Sequence, residues 1–568
     1  MIQATATERQ TLPVQIHQFL NELDQHKELY ARTSVAERIE LAEQCAAEVA
    51  KTAPQWVDAC CRAKQIPVDS PLRGEEVFAG PVAAIRYLQL IIHSLKSIET
   101  TGRPQLPGTA YRGPDGRLRV PLQPTRVLYD RLVLYPFQVT AWMRDGIAHS
   151  DLEDLLARHY HNDAPRPPKT VVILGAGNVS AIPLTDAFAK LLQEGAVVLL
   201  KMSPVNDYLG PLFEQILRPF IECGYLRIAY GGPEAGATAI NHPLTDEIHI
   251  TGSVDSHDTI VWGPPGEERN RRIRECRPLL EKRVTSELGN VSPWIFVPGR
   301  YSSRQLQFQA ENVAASVINN ASHNCVATRV LITWKRWPLR TQLLDRITAI
   351  FADMPHRVAW YPGAVERFQR LTGGQPSDEA NRRLPWTLLR DVNPDEHPQF
   401  FNKESFVCVL AEVTLDAPTA EEFLAKATRF ANERLAGTLC AAITIPSTFR
   451  QERSREQLLQ RCLSELKYGA IAVNHWPGIV YALMTPPWGG FPDSTLTNPQ
   501  SGIGWGHNTF MLDGIEKTVL EGPLTIFPRP AWLPGHRSAE QVAWSFFRLY
   551  EKPSWLALMR VAHASLKG

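Results

Sequence analysis

Apolar residues recur every three to four positions through VQIHQFLNELDQH and SVAERIELAEQCAAEVAKTAPQWVDACCRAK, so residues 14–62 predict helices. Ser34 followed by Glu37 reads as a capping box at the start of the second. A further helical run, EEVFAGPVAAIRYLQLIIHSLKSIE, ends before the Gly/Pro-rich TGRPQLPGTAYRGPDG. From 117 to 142, the β-branched and aromatic residues of RLRVPLQPTRVLYDRLVLYPFQVTAW predict paired strands. The polar, proline-bearing HNDAPRPPKT predicts a connection.

The pattern then changes. TVVILGAGN, AVVLLKMSP, LRIAYGG and TDEIHITGS read as short buried strands, with IPLTDAFAKLLQEG and GPLFEQILRPFIECG as helices between them. Strand and helix alternating over short links predict a right-handed parallel α/β sheet. Ligands of such sheets sit outside the carboxyl ends of the strands. A second alternating stretch, from SPWIFVP to TLCAAITIP, predicts a second α/β lobe. The expected division is 1–285, 286–480, and a return segment with a helical tail over 481–568.

Composition narrows the function classes. Of 568 residues, 44% are hydrophobic, and Lys+Arg 60 against Asp+Glu 59 leaves a net charge of +1. No basic field argues for nucleic acid. Nine cysteines are scattered without a CxxC pair or zinc spacing, which fits reduced thiols in a cytoplasmic protein. The first twenty residues lack the basic and apolar regions of a signal peptide. No apolar run reaches the roughly 18 residues that span a bilayer.

Several residues carry candidate chemistry. GAGNVSAIP at 175–183 follows the first strand but has Ser180 where the dinucleotide fingerprint needs a third Gly, so a structural turn explains it equally well. Asn178 could donate its amide to a developing oxyanion, or cap the next helix. Lys201 closes the next strand, where it meets cofactor oxygens or simply solvent. Cys325, in NNASHNCVATRV, is a thiol between helix and strand patterns, although most lone cysteines are inert. Glu287, in SELGNVSPW, becomes a general base if burial raises its pKa, and is otherwise a solvated strand end. Glu404, in KESFVCVL, could accept ribose hydroxyls or cap a turn.

Taken in order, these pieces resemble the aldehyde dehydrogenase superfamily over residues from about 170 to 520. The family's Asn corner looks like LGAGN, its strand-end Lys like VVLLKMSP, and its Gly-Ser turn like ITGSVDS. Its general-base segment looks like SELGNVSPW, its nucleophile loop like NNASHNCVATRV, and its Glu-x-Phe clamp like KESFVCVL. VNHWPGIVYALMTPPWGGFPDS resembles the segment that lines the substrate passage. The resemblance implies two Rossmann-like α/β lobes with a β-hairpin oligomerisation element. It implies Cys325 as nucleophile, Glu287 as base and Asn178 as oxyanion donor, with no metal. It implies NAD or NADP held by Lys201, Gly252, Ser253, Glu404 and Phe406.

Departures from the pattern matter. Pro204 stands where NAD-preferring relatives often carry Glu, which opens the site to NADP, and His257 replaces a second turn glycine. The basic stretch from 261 to 283 reads as a solvated helix with its loop, or as a surface for a phosphate-bearing group such as coenzyme A. In the tail, Trp544, Phe546, Phe547, Trp555, Leu556, Leu558 and Met559 lie near Arg548, Lys552 and Arg560. Packing on the body or a neighbour explains them, with a weak membrane-surface contact as the alternative. The 117–142 strands offer an edge to a second copy, and a homodimer or homotetramer is the expected assembly.

The expected activity is NAD(P)-dependent oxidation of an apolar, medium- or long-chain aldehyde to its acid through a Cys thioester. Two alternatives stand beside it: a coenzyme A-linked acyl reductase, and a catalytically silent scaffold of the same fold.

Overall fold

The structure, a computed structural model, describes residues 9–161 and 167–568. The extreme N-terminus and the middle of the HNDAPRPPKT connection lie outside the described residues. Helices α1 (Pro13–Arg32) and α2 (Val35–Ala63) form over the periodic stretch. At the start of α2, Ser34 Oγ accepts the Glu37 N–H at 3.2 Å while Glu37 Oε2 accepts the Ser34 N–H at 2.7 Å. Two otherwise orphaned donors are thereby satisfied. Helix α3 (Arg73–Val77) runs through a π-turn, Phe78–Val82, into α4 (Ala83–Thr101). The π-turn contains Pro81, which has no N–H to give a regular helical ladder. This continuous run is long and apolar enough to cross a membrane by length and composition, but 72% of its apolar window is buried inside the protein.

Strands β1 (Tyr111–Arg112), β2 (Leu118–Gln123) and β3 (Gln138–Met143) follow. The middle of the segment expected as paired strands is instead a helix, α5 (Leu128–Val133). Its Asp130 is buried and takes Arg86 Nη1 of α4 at 2.6 Å and Thr125 Oγ1 at 2.7 Å, which fixes the turn back toward β3. Strand β3 then pairs antiparallel with Ile515–Glu521 of the same chain. That pairing fills the second edge of β3, while β2 meets only the two-residue β1, at Leu118 and Arg119, on its outer side. Alternate residues of β3, among them Val139 and Ala141, are fully buried by that pairing.

Strands β4 (Thr170–Leu174), β5 (Val197–Lys201), β6 (Leu226–Ala229), β7 (Glu247–Thr251) and β8 (Arg283–Glu287) make one all-parallel sheet in the order β6-β5-β4-β7-β8. Because all five point the same way, the residues that follow β4, close β5, follow β7 and close β8 emerge along one edge. Those residues are Asn178, Lys201, Gly252 and Glu287. Strands β9 (Ser292–Phe296) and β10 (Thr328–Trp334) belong to the second, ten-stranded sheet. It continues through Cys440–Thr444, Ala470–Val473 and Ile515–Glu521 to β3, β2 and β1 on one side, and through Val409–Leu415 to Thr387–Leu389 on the other.

Two large apolar cores result. One joins α1, α2 and α4 to the five-stranded sheet. The other fills the ten-stranded sheet and takes in β2 and β3, so the 117–142 segment packs with the second lobe. The basic segment forms a helix, Glu267–Arg274, with no buried residue, and Glu268 pairs with Arg271 and Arg272 at 2.9 and 3.0 Å.

The tail forms helices Ala539–Glu551 and Trp555–Ser565. The first packs on α3 so closely that a Cβ at Gly74 would come 2.7 Å from the Ala539 backbone. Phe546 meets Phe78 at 5.8 Å between ring centroids, and Phe547 is buried. Trp555, Leu556 and Met559 on the second helix are 58, 55 and 60% exposed, so only the first half of the tail spends its apolar residues on the body.

Candidate active site

The three residues expected to react come together where the two lobes meet. Cys325 begins the turn before β10 and is partly exposed. Its Sγ donates to Glu287 Oε1 at 3.4 Å, and its carbonyl accepts from Ser292 Oγ at 3.1 Å. Glu287, the last residue of β8, is buried. Burial pushes its carboxyl above the ordinary range, with Trp488 and Cys325 pulling it partly back. Burial, followed by the negative charges of Glu287 and Glu404, raises the Cys325 thiol well above its ordinary value. At rest the pair is thus a thiol against a buried carboxyl.

Asn178 Nδ2 donates to the main-chain carbonyl of His323, two residues before Cys325, at 3.1 Å. A primary amide has two N–H donors, so one is left to face the reacting carbon's oxygen. The corner that carries Asn178 depends on Gly177. A Cβ there would lie 2.6 Å from Ser203 Oγ and 2.8 Å from Val205 Cβ.

The loop that carries Cys325 is held under strain by residues that the sequence reading did not single out. Asn320, Ala321 and Ser322 have φ of 52°, 53° and 69°, a left-handed run that costs roughly 1–3 kcal/mol per non-glycine residue. Asn320 Nδ2 donates to the carbonyls of Asn178 and His323 and to Asn324 Oδ1 at 3.0, 3.2 and 3.0 Å. Its Oδ1 accepts from Lys64 Nζ at 2.8 Å, and Lys64 is itself paired with Glu76 at 2.9 Å in the core. Arg329, buried, donates to the carbonyls of Ser322 and Asn324 at 2.7 and 3.1 Å. Behind Glu287 lies a second buried carboxyl, Asp186, which accepts from Thr251 Oγ1 at 2.9 Å. Burial and the Glu287 charge push it well up. An isolated Asp in the apolar run IPLTDAFAK was the available signal.

The residues expected to hold a cofactor lie on the same edge. Lys201 is buried at the end of β5, and burial lowers its ammonium to about 8, Asp207 opposing. Gly252 N–H donates to the Glu287 carbonyl at 3.0 Å, which ties the Gly-Ser turn to the end of β8. Ser253 caps the helix Val254–Trp262 by accepting the Ser256 N–H at 3.1 Å. His257 lies inside that helix, fully buried, rather than in the turn. Glu404 lies against the Gly289 backbone, where a Cβ would come 2.4 Å from its Oε2. Burial pushes it up to about 7 against the pull of Arg329, and its Oε1 has no hydrogen-bond partner among the described residues. Phe406, at φ 50°, gives its carbonyl to His323 Nδ1 at 3.0 Å and packs on Tyr361 at 4.9 Å. Pro204 is exposed beyond Lys201.

No protein-family model and no curated protein sequence matches this chain. Its structure is similar to that of an aldehyde dehydrogenase C mutant from Pseudomonas syringae, solved with NAD+ and octanal (14% identity, TM-score 0.61, covering 90% of this chain and 89% of that one). It is also similar to an NAD-dependent aldehyde dehydrogenase from Sinorhizobium meliloti (16%, 0.58, 92% and 88%). A third neighbour is a glyceraldehyde-3-phosphate dehydrogenase from Methanocaldococcus jannaschii complexed with NADP (11%, 0.59, 90% and 95%). This chain therefore has the fold of the aldehyde dehydrogenases.

Proposed function

We propose that this protein oxidises an apolar aldehyde to the carboxylic acid with NAD or NADP, and that Cys325 is the nucleophile. The observation that carries the reading is the 3.4 Å contact of Cys325 Sγ with Glu287 Oε1, beside the Asn178 amide. Glu287 accepts the thiol proton, and the thiolate attacks the carbonyl carbon. Asn178 Nδ2 and the Cys325 backbone N–H donate to the oxygen that becomes negative. When bound, the nicotinamide supplies the hydride acceptor that lets the adduct collapse to a Cys325 thioester. Glu287 passes the thiol proton to solvent, then takes a proton from water as the water oxygen attacks the thioester, and returns that proton to the departing Cys325 sulfur as the acid leaves.

The donor set fits such a cofactor. Lys201 is a cation buried without an ion pair among the described residues, and Glu404 Oε1 is an unpaired acceptor for a ribose hydroxyl. Pro204 provides no carboxylate to repel a 2′-phosphate. Glu287 placed on the thiol favours hydrolysis over acyl transfer to coenzyme A, which needs no water-activating base. Its conjunction with Cys325 and Asn178 argues against a silent scaffold. The exposed Trp555, Leu556 and Met559 beside Arg560 suit a shallow membrane-surface contact in a cytoplasmic enzyme.

The test is nicotinamide reduction with octanal under NAD or NADP, with Cys325→Ala as control. Cys325-dependent reduction without coenzyme A supports the reading. Turnover that requires coenzyme A points to acyl transfer instead, and silence in every condition from folded protein overturns the oxidation.

A further inference from the structure

Helix α5 and the last helix of the chain, Trp555–Ser565, pack against each other. Tyr129 of α5 meets Trp555 edge-on at 5.5 Å between ring centroids. Beneath that contact, Tyr129 and Val133 cover a small apolar core of Leu549, Ala557 and Val561. With those residues turned inward, the two helices present their other sides to solvent together. Phe527 joins them, because its carbonyl accepts from Tyr135 Oη at 3.4 Å.

That shared outer side is apolar. On α5 and the turn after it, Leu128, Leu132 and Tyr135 are 51, 44 and 67% exposed, and Phe527 is 67% exposed. On the last helix and its closing turn, Trp555, Met559, Ala562 and Leu566 follow at three-to-four spacing, and all are exposed. They form one stripe opposite the buried Ala557, Val561 and Ala564. Contiguous exposed apolar surface of this kind marks a place where something docks.

The charges around the stripe have one sign. Arg560 and Lys567 lie beside it, exposed, and Arg131 is exposed next to Leu132. Across residues 126–135, 526–537 and 552–567 the sole carboxylate is Asp130, buried against Arg86 at 2.6 Å. Arg131, Lys552, Arg560 and Lys567 make no ion pair among the described residues. A second copy docked by two-fold symmetry would bring these cations together with no carboxylate opposite them. Rings of Trp and Tyr beside unpaired Lys and Arg complement an anionic headgroup layer instead. The rings enter the headgroup boundary while the cations meet phosphate.

We infer that α5 and the helix Trp555–Ser565 form one docking face for an anionic membrane surface. The inference rests on the shallow contact proposed for the tail and widens it to two helices and a lipid charge. No step of the oxidation enters it. Near an anionic leaflet each Lys or Arg is worth about fivefold in affinity, so the four unpaired cations and the apolar stripe act together.

The experiment pellets the full-length protein with vesicles of phosphatidylcholine alone or mixed with phosphatidylglycerol, in low and in high salt. It is repeated with the double variants Arg560→Glu/Lys567→Glu and Met559→Ser/Leu566→Ser, all at exposed positions. Aldehyde turnover is measured on the same samples without vesicles. The expected result is pelleting with the mixed vesicles only, lost in high salt. The charge variant lowers affinity at least tenfold and the apolar variant at least fivefold, and neither changes turnover. In the unaltered protein, brominated phosphatidylcholine included in the mixed vesicles quenches tryptophan emission, and Trp555→Phe removes most of that quenching. No pelleting with mixed vesicles, equal pelleting with phosphatidylcholine alone, or affinity untouched by both variants overturns the inference and leaves the oxidation standing. Self-association that Met559→Ser/Leu566→Ser abolishes, without vesicle binding, overturns it in favour of a second copy. Pelleting as expected from a protein that oxidises no aldehyde upholds the docking face and counts against the oxidation.

Discussion

Cys325 Sγ lies 3.4 Å from Glu287 Oε1, so the proposed nucleophile and the proposed base are in direct contact. The contact couples their protonation, because burial and the Glu287 charge both hold the thiol neutral. Glu287→Gln removes that charge. The pH midpoint for alkylation of Cys325 is expected to fall in this variant, while steady-state turnover drops about 10²–10⁴-fold as the base is lost. An alkylation midpoint that rises or stays fixed contradicts the coupling.

Asn178 is the second test of the site. Replacing it with Ala removes a donor from the developing oxyanion and is expected to cost about 10²–10³ in kcat. It also removes the bond to the His323 carbonyl. Asn178→Asp keeps the shape without the donors and is expected to be equally slow. Near-normal kcat in both variants would mean that the side chain only positions the loop.

Lys201 gives a pH signature. Its folded pKa of about 8 lies below the ordinary value of 10.5, because burial disfavours the charged form. The unfolded chain binds more protons here between those two values, so this group makes the protein more stable as pH rises from about 8 toward 10.5. An anionic cofactor beside the ammonium raises its pKa. Cofactor binding near pH 8.5 is therefore expected to take up a proton, measured by calorimetry in buffers of different ionisation enthalpy. Lys201→Met should abolish the uptake.

The strained loop before Cys325 makes Asn320 a positioning residue. Asn320→Ala deletes bonds to Asn178, His323 and Asn324 and leaves Lys64 short of one acceptor. Each lost bond of this kind costs about 0.5–1.5 kcal/mol. We expect kcat to fall at least tenfold with little change in KM for cofactor, along with a lower Tm. Unchanged kcat with a lower Tm would leave Asn320 a purely structural residue.

Much of this was legible in the sequence because short strands and their following turns are local signals. TVVILGAGN, AVVLLKMSP and ITGSVDS each carried a strand end and its candidate residue, and parallel topology alone brings those ends together. The capping box at Ser34 was equally local. What was not legible depended on distant partners. The helix α5 inside an apparent hairpin is fixed by Arg86, which lies 44 residues away and meets Asp130 in the core. The pairing of β3 with Ile515–Glu521 joins segments that no periodicity connects. Lys64, Asn320 and Arg329 read as ordinary polar residues until the fold places them under the nucleophile loop. His257 was misplaced by one turn of chain, since the helix capped by Ser253 had already begun.

The most direct test is to trap the thioester. Glu287→Gln protein is mixed with octanal and NAD(P), quenched in acid, and its peptides are mapped by mass spectrometry. The account predicts an octanoyl group on the Cys325 peptide that forms only with the cofactor present. An octanoyl group on another residue, or none while the aldehyde is still consumed, would contradict Cys325 as the nucleophile.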